Sequence, residues 1–144
     1  MEGRAEPDRS RVVEGVVVVV LRDARFLVIR RAPGTLAEGA WCFVGGAIEP
    51  GESQPQTAIR EFREEVGGGV RPLRRLWEYT RPDGGLRLYW WLAQLTDDGL
   101  VANPAEVAEM RWCTPAELLD LPGLLESNRA FMHAVGASLT DAAP

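Results

Sequence analysis

Histidine and cysteine are almost missing from this sequence, which has one His (His133) and two Cys (Cys42 and Cys113). A lone histidine builds no histidine-based metal centre. Two distant cysteines without metal-type spacing give neither a zinc site nor a disulfide framework, so reduced, buried thiols are expected. Positive charge is also short, with 16 Lys+Arg against 21 Asp+Glu and a net charge of −5. That balance argues against general affinity for nucleic acid or anionic membrane. Every apolar run is too short to span a bilayer, and no leader is recognisable, so a cytoplasmic location is expected. What remains is a chain of 144 residues, 46% hydrophobic and 26% charged, an ordinary globular composition. Its length suits one domain, expected at residues 11–137 between flexible tails at 1–10 and 138–144.

The strands come first. Val12 to Leu21 (VVEGVVVVVL) is β-branched and apolar on both faces, as in a buried central strand. After a turn at residues 22–25, Phe26 to Ile29 returns and ends in Arg30-Arg31. Residues 32–40 form a loop of small residues, and Trp41 to Val44 reads as a short strand feeding Gly45-Gly46. Val70–Thr80 and Leu86–Thr96 pair across the turn residues Pro82-Asp83-Gly84. Alternation puts Leu88, Trp90 and Leu92 on one side and Tyr89, Trp91 and Ala93 on the other. Val107 to Cys113 is a last strand. Thr114-Pro115-Ala116-Glu117 is a capping box for a helix to about Asp120. A final helix is expected over Leu124–Gly136, with fraying from Ala137.

The most informative stretch runs from Gly46 to Gly68, GAIEPGESQPQTAIREFREEVGG. Ser53 and Gln56 form a second capping box, and Pro55 falls in the first turn, where its missing N–H is harmless. Ile59, Phe62 and Val66 make an apolar stripe for the core. Glu61, Glu64 and Glu65 stand at i, i+3 and i+4, so their carboxylates share adjoining faces and repel. A hard divalent cation would remove that penalty, since Mg²⁺ takes oxygen ligands and keeps positions for water or phosphate. The bland alternative is a solvated helix face laced with Arg60–Glu pairs.

This stretch resembles the Nudix box: Gly, five residues, Glu, seven residues, Arg-Glu, an aliphatic, one residue, Glu-Glu, one residue, Gly, an aliphatic. Gly46, Glu52, Arg60, Glu61, Glu64, Glu65 and Gly67 fall in register. Phe62 replaces an aliphatic. Gly68 replaces another, which suggests a looser helix exit. Val44 stands where relatives carry Pro. The resemblance implies an α/β/α sandwich with a mixed β-sheet, and metal-dependent hydrolysis of a pyrophosphate bond in a nucleoside diphosphate derivative. A nucleoside triphosphate cleaved to monophosphate and pyrophosphate is the first expectation. An ADP-ribose or nucleotide-sugar pyrophosphatase is the second, and a non-catalytic nucleotide-binding module the third.

By the same resemblance, Glu61, Glu64, Glu65 and Glu106 would hold Mg²⁺, with Mn²⁺ as a substitute. Glu61, Glu64, Arg60, Glu52 and Glu106 form the candidate catalytic set. The general base would come from Glu64, Glu61 or Glu106, and Glu52 would anchor the loop. Glu106 lies six residues before Trp112, the spacing of an extra acidic residue in relatives, with Glu109 as its backup. Arg31 would clamp phosphate, Asn128 would read a base, and Phe43, Gly45 and Gly46 would line the substrate path, the glycines allowing close backbone approach. A homodimer is compatible with the aromatic strand around Trp90 and Trp91.

Overall fold

The computed structural model describes residues 12–141; the tail expected at 1–10 and the end of the other, 142–144, lie outside these residues. Among the described residues the chain forms one mixed seven-stranded sheet with helices on both faces. The strands are β1 (Val13–Arg22), β2 (Arg25–Arg31), β3 (Trp41–Cys42), β4 (Val44–Ala47), β5 (Val70–Thr80), β6 (Leu86–Leu95) and β7 (Val107–Cys113). The helices are α1 (Gln54–Val66), α2 (Pro115–Leu119), α3 (Glu126–Phe131) and, after a π-helical turn at Met132–Gly136, α4 (Ala137–Asp141).

Strand β1 is the centre because it can be buried on both faces. It runs parallel to β6, from Val13 opposite Leu86 to Val20 opposite Ala93, and antiparallel to β4. Its alternating valines divide the core. Val16, Val18 and Val20 pack with Ala58, Phe62 and Val66 of α1. Val17 and Val19 pack on the other face with Trp90, Leu118, Phe131 and Met132. Two helical layers therefore cover one sheet, as expected of an α/β/α sandwich.

Helix α1 begins at the expected capping box: Gln56 N–H donates to Ser53 Oγ at 3.2 Å and Ser53 N–H to Gln56 Oε1 at 2.9 Å. Gly67 closes it at φ +70°, a conformation that favours glycine. The apolar stripe differs from the sequence reading in one member. Ile59 is exposed, and the buried face is Thr57, Ala58, Glu61, Phe62, Glu65 and Val66. Nor is the helix exit loose. A Cβ on Gly68 would lie 2.3 Å from Leu100 Cδ2, so Leu100 fills the space an aliphatic there would take.

The strand expected at Trp41–Val44 is two strands. Trp41–Cys42 pairs with β2, Val44–Ala47 pairs with β1, and Phe43 makes the crossing. Phe43 N–H leaves the ladder and donates to Asn128 Oδ1 at 2.8 Å. Val44, paired with Val18, needs no proline to fix its corner. At the other end, Leu124 bridges to Trp41 rather than starting the last helix, and helix continues to Asp141, past the expected end at Gly136. Both cysteines are buried and free, as expected.

Candidate active site

Arg60 organises the acidic helix. Its Nε and Nη2 donate to the two oxygens of Glu52 at 2.6 and 2.9 Å, and Nη2 also donates to Ala47 O at 2.9 Å. Nη1 donates to Glu61 Oε2 at 2.9 Å and Glu64 Oε1 at 3.3 Å. All five guanidinium N–H groups are thus used, which a lysine cannot imitate. Glu52 also accepts from Glu49 N–H and Thr57 Oγ1, and these bonds, Arg60's above all, hold its carboxyl down to about 2. With its oxygens so occupied, Glu52 is a brace for the loop before α1 and does not line the cleft.

A cleft of about 200 Å³ opens beside this helix, lined by Ile29, Arg31, Thr35, Gly45 and Gly46 together with Glu61, Glu65 and Glu106. Glu61 and Glu65 are buried. Burial, then the hydrogen bond and charge of Glu61, push the Glu65 carboxyl well above the ordinary carboxylate range. Glu106 is raised in the same sense by burial and by the charges of Glu61 and Glu64. Glu64 stands at the exposed rim rather than in the lining. Glu109, the backup for Glu106, points to Arg30 and Arg111 at 3.4 and 2.8 Å and takes no part in the cleft.

Gly46 sets how close the helix comes. A Cβ there would lie 2.2 Å from the Glu61 carboxyl carbon. At Gly45 a Cβ would meet Val16 O, a backbone atom, at 2.5 Å. The first glycine therefore serves the sheet and the second serves the carboxylate.

A second cavity, about 310 Å³, adjoins the first and shares Arg31, Gly45 and Gly46 with it. Its walls are mainly apolar, from β1, β4, β6, the 32–40 loop and the start of α3. Leu36 sits at this cavity, 86% exposed. Arg31 Nη1 donates to Leu36 O at 3.1 Å, while its buried Nε has no partner. Phe43 borders the cavity, but its ring packs edge-on against Phe26, Trp90 and Phe131 in the core. Asn128 is also buried. Its Oδ1 is taken by Phe43 N–H, and its Nδ2 donates to Ser127 Oγ at 3.1 Å.

The structure thus gathers Glu61, Glu65, Glu106, Arg31, Gly45 and Gly46 at one cleft, and Phe43 and Asn128 at its neighbour. Sequence reasoning missed Leu36, Ser127 and Leu88 of the apolar cavity, because nothing local marks them. The donor set suits a hard cation: carboxylate oxygens, two of the side chains buried, beside an open cleft. Among the described residues no three such side chains already converge at ligand distance. Arg60 holds one oxygen of Glu61 and one of Glu64 and leaves the second oxygen of each free of it.

The mixed-sheet sandwich carries an arginine-braced acidic helix that opens on a cleft. The NUDIX domain model matches residues 12–135, and the chain belongs to the Nudix hydrolase family. It is 30% identical over 112 residues to the CTP pyrophosphohydrolase of Escherichia coli (strain K12), covering 78% of this chain and 83% of that one. It is 28% identical over 106 residues to a putative 8-oxo-dGTP diphosphatase of Bacillus subtilis (strain 168), covering 73% and 68%. The solution structure of the Escherichia coli ORF135 protein superposes with a TM-score of 0.73 at 28% identity, over 96% of this chain and 99% of that one. Members of the family generally use divalent metal ions. No helix among the described residues is long and apolar enough to cross a membrane.

Proposed function

We propose that this enzyme cleaves a nucleoside triphosphate to the monophosphate and pyrophosphate, with Mg²⁺, or Mn²⁺ in its place. One observation carries the reading: an apolar cavity sized for a base adjoins an acidic cleft, with Arg31, Gly45 and Gly46 lining both. The base would enter the apolar cavity, and the phosphates would cross the Arg31 guanidinium, which lines both spaces. When bound, the cation neutralises charge on the phosphoryl oxygens and acidifies a water. Glu61, Glu64, Glu65 and Glu106 would hold it. Water adds at a phosphorus of the α–β anhydride, the bridging oxygen leaves with the other phosphate group, and a carboxylate of Glu61, Glu64 or Glu106 takes the water's proton.

Asn128 favours particular bases. Its Oδ1 is committed to Phe43 N–H and one Nδ2 hydrogen to Ser127 Oγ, so it offers a ligand one N–H donor rather than an acceptor. A single donor suits a base that presents an acceptor at its edge, such as cytosine N3 or guanine N7. The similarity to a CTP pyrophosphohydrolase supports the same choice.

The test is a panel of ribo- and deoxynucleoside triphosphates, ADP-ribose and nucleotide sugars, each with Mg²⁺ and with Mn²⁺. Monophosphate and pyrophosphate from CTP or GTP are expected at the highest kcat/KM. Preferred cleavage of ADP-ribose or a nucleotide sugar would replace this reading. Tight binding of one member without turnover would make the domain a binding module.

A further inference from the structure

A helix leaves its last four carbonyls without partners, and at α1 these lie beside the acidic cluster. Here all of them are satisfied. Arg63 O accepts from Gly67 N–H at 3.0 Å and Val66 O from Val101 N–H at 2.8 Å. The other two go to one residue: Glu65 O accepts from Asn103 N–H at 2.9 Å, and Glu64 O from Asn103 Nδ2 at 3.2 Å. The same Nδ2 donates to Glu106 Oε2 at 3.1 Å, and Asn103 Oδ1 accepts from Ala105 N–H at 3.1 Å. Asn103 O accepts from both Glu106 N–H and Val107 N–H, at 2.9 and 2.8 Å. Each amide hydrogen of this side chain therefore has a separate task, one on the acidic helix and one on the loop carboxylate.

We propose that Asn103 is a positioning residue that registers Glu106 against the Glu61–Glu65 helix, so that the loop carboxylate meets the cation at a fixed place. The side-chain chemistry is selective. An aspartate has no hydrogens to give, and a serine keeps the turn acceptor for Ala105 N–H but cannot span to both partners. Metal-site residues held by such outer hydrogen bonds depend on them for orientation, with losses of about 10–100-fold in metal affinity when the bond is removed. The inference rests on the reading of Glu106 as a carboxylate of the cation site.

The experiment titrates Mn²⁺ into nucleotide-free protein, following free Mn²⁺ by electron paramagnetic resonance, alongside thermal melts. It compares wild type, Glu106→Gln, Asn103→Ser and the double variant. Asn103→Ser should weaken Mn²⁺ binding by about tenfold, close to Glu106→Gln, and the double variant should bind no worse than Glu106→Gln alone. Asn103→Gln, which keeps the amide but displaces it by a methylene, should weaken binding in the same direction. A lower melting temperature for Asn103→Ser with wild-type Mn²⁺ affinity, while Glu106→Gln binds weakly, would overturn the inference and leave Asn103 as a helix cap. Multiplicative losses in the double variant would overturn it too. Unchanged Mn²⁺ binding in Glu106→Gln would remove Glu106 from the site, and the inference would fall with it.

Discussion

The acidic cleft and the apolar cavity share Arg31 and two glycines of β4, yet they are held in opposite ways. The cleft concentrates like charges in the C-terminal half of α1, where the helix dipole is also negative, and burial raises two of its carboxyls. The cavity carries no carboxylate in its lining, and part of its wall, Val16, Val17, Cys42 and Phe43, is already packed in the core. One region therefore stores repulsion that a cation relieves, and the other is ready-made when empty. Damage to the cleft should fall on turnover, and damage to the cavity on substrate affinity.

The largest effects should come from the cleft. Glu61→Gln, Glu64→Gln or Glu65→Gln should each lower kcat/KM by about 10³-fold, the scale of several kcal/mol of charge stabilisation. The fold disfavours the charged form of Glu65, so metal-free Glu65→Gln should melt at or above the wild-type temperature. A lower melting temperature would mean that the cluster is structural.

The paired glycines separate the two regions further. Gly46→Ala meets only the movable end of Glu61, so the fold should survive while kcat falls by about 10²-fold through its displacement. Gly45→Ala meets Val16 O and should instead destabilise the sheet by about 1–3 kcal/mol. Melts with kinetics on both variants check the division.

In the cavity, Asn128→Asp keeps the acceptor for Phe43 N–H but loses the amide donors. Losing a hydrogen bond of about 0.5–1.5 kcal/mol should raise KM by up to about tenfold, with kcat little changed. An equal loss in kcat would place Asn128 in the chemistry rather than in base recognition.

The smallest effect is on stability against pH. The Glu52 carboxyl lies near 2 in the fold against an ordinary 4.5, so its contribution is present above 4.5 and lost as pH falls towards 2. Glu65 and Glu106 have the opposite sign. The unfolded chain releases their protons near 4.5 and the fold retains them, so stability is lost as pH rises through their raised values. Melts of metal-free protein should peak in mild acid, and Mg²⁺ should restore more at pH 8 than at pH 5. A Mg²⁺ effect equal at both values would contradict this sign.

The two regions also differed in how much the sequence disclosed. The cleft was legible because Gly46 to Gly67 is contiguous: capping box, arginine and carboxylates keep their meaning at fixed spacing along one helix. Strand β1 was legible from its unbroken β-branched run. The cavity was not, since its walls come from five segments that meet only in the sheet. Ile59 was misjudged because its place in the stripe depended on which face the buried glutamates would claim. Phe43 was placed inside a single strand because its partner, Asn128, is distant in sequence. Nothing local marks Asn103, and only the fold shows its amide spanning helix and loop.

The central claim is that crowded carboxylates, two of them raised by burial and by neighbouring charge, await a divalent ion beside a nucleotide pocket. Titration of Mn²⁺ at pH 7, by calorimetry in two buffers of different ionisation enthalpy, tests it most directly. Wild type should bind Mn²⁺ saturably and release a proton, and Glu65→Gln should bind more weakly and release less. Absence of binding, or the same affinity and proton release in both proteins, would contradict the account.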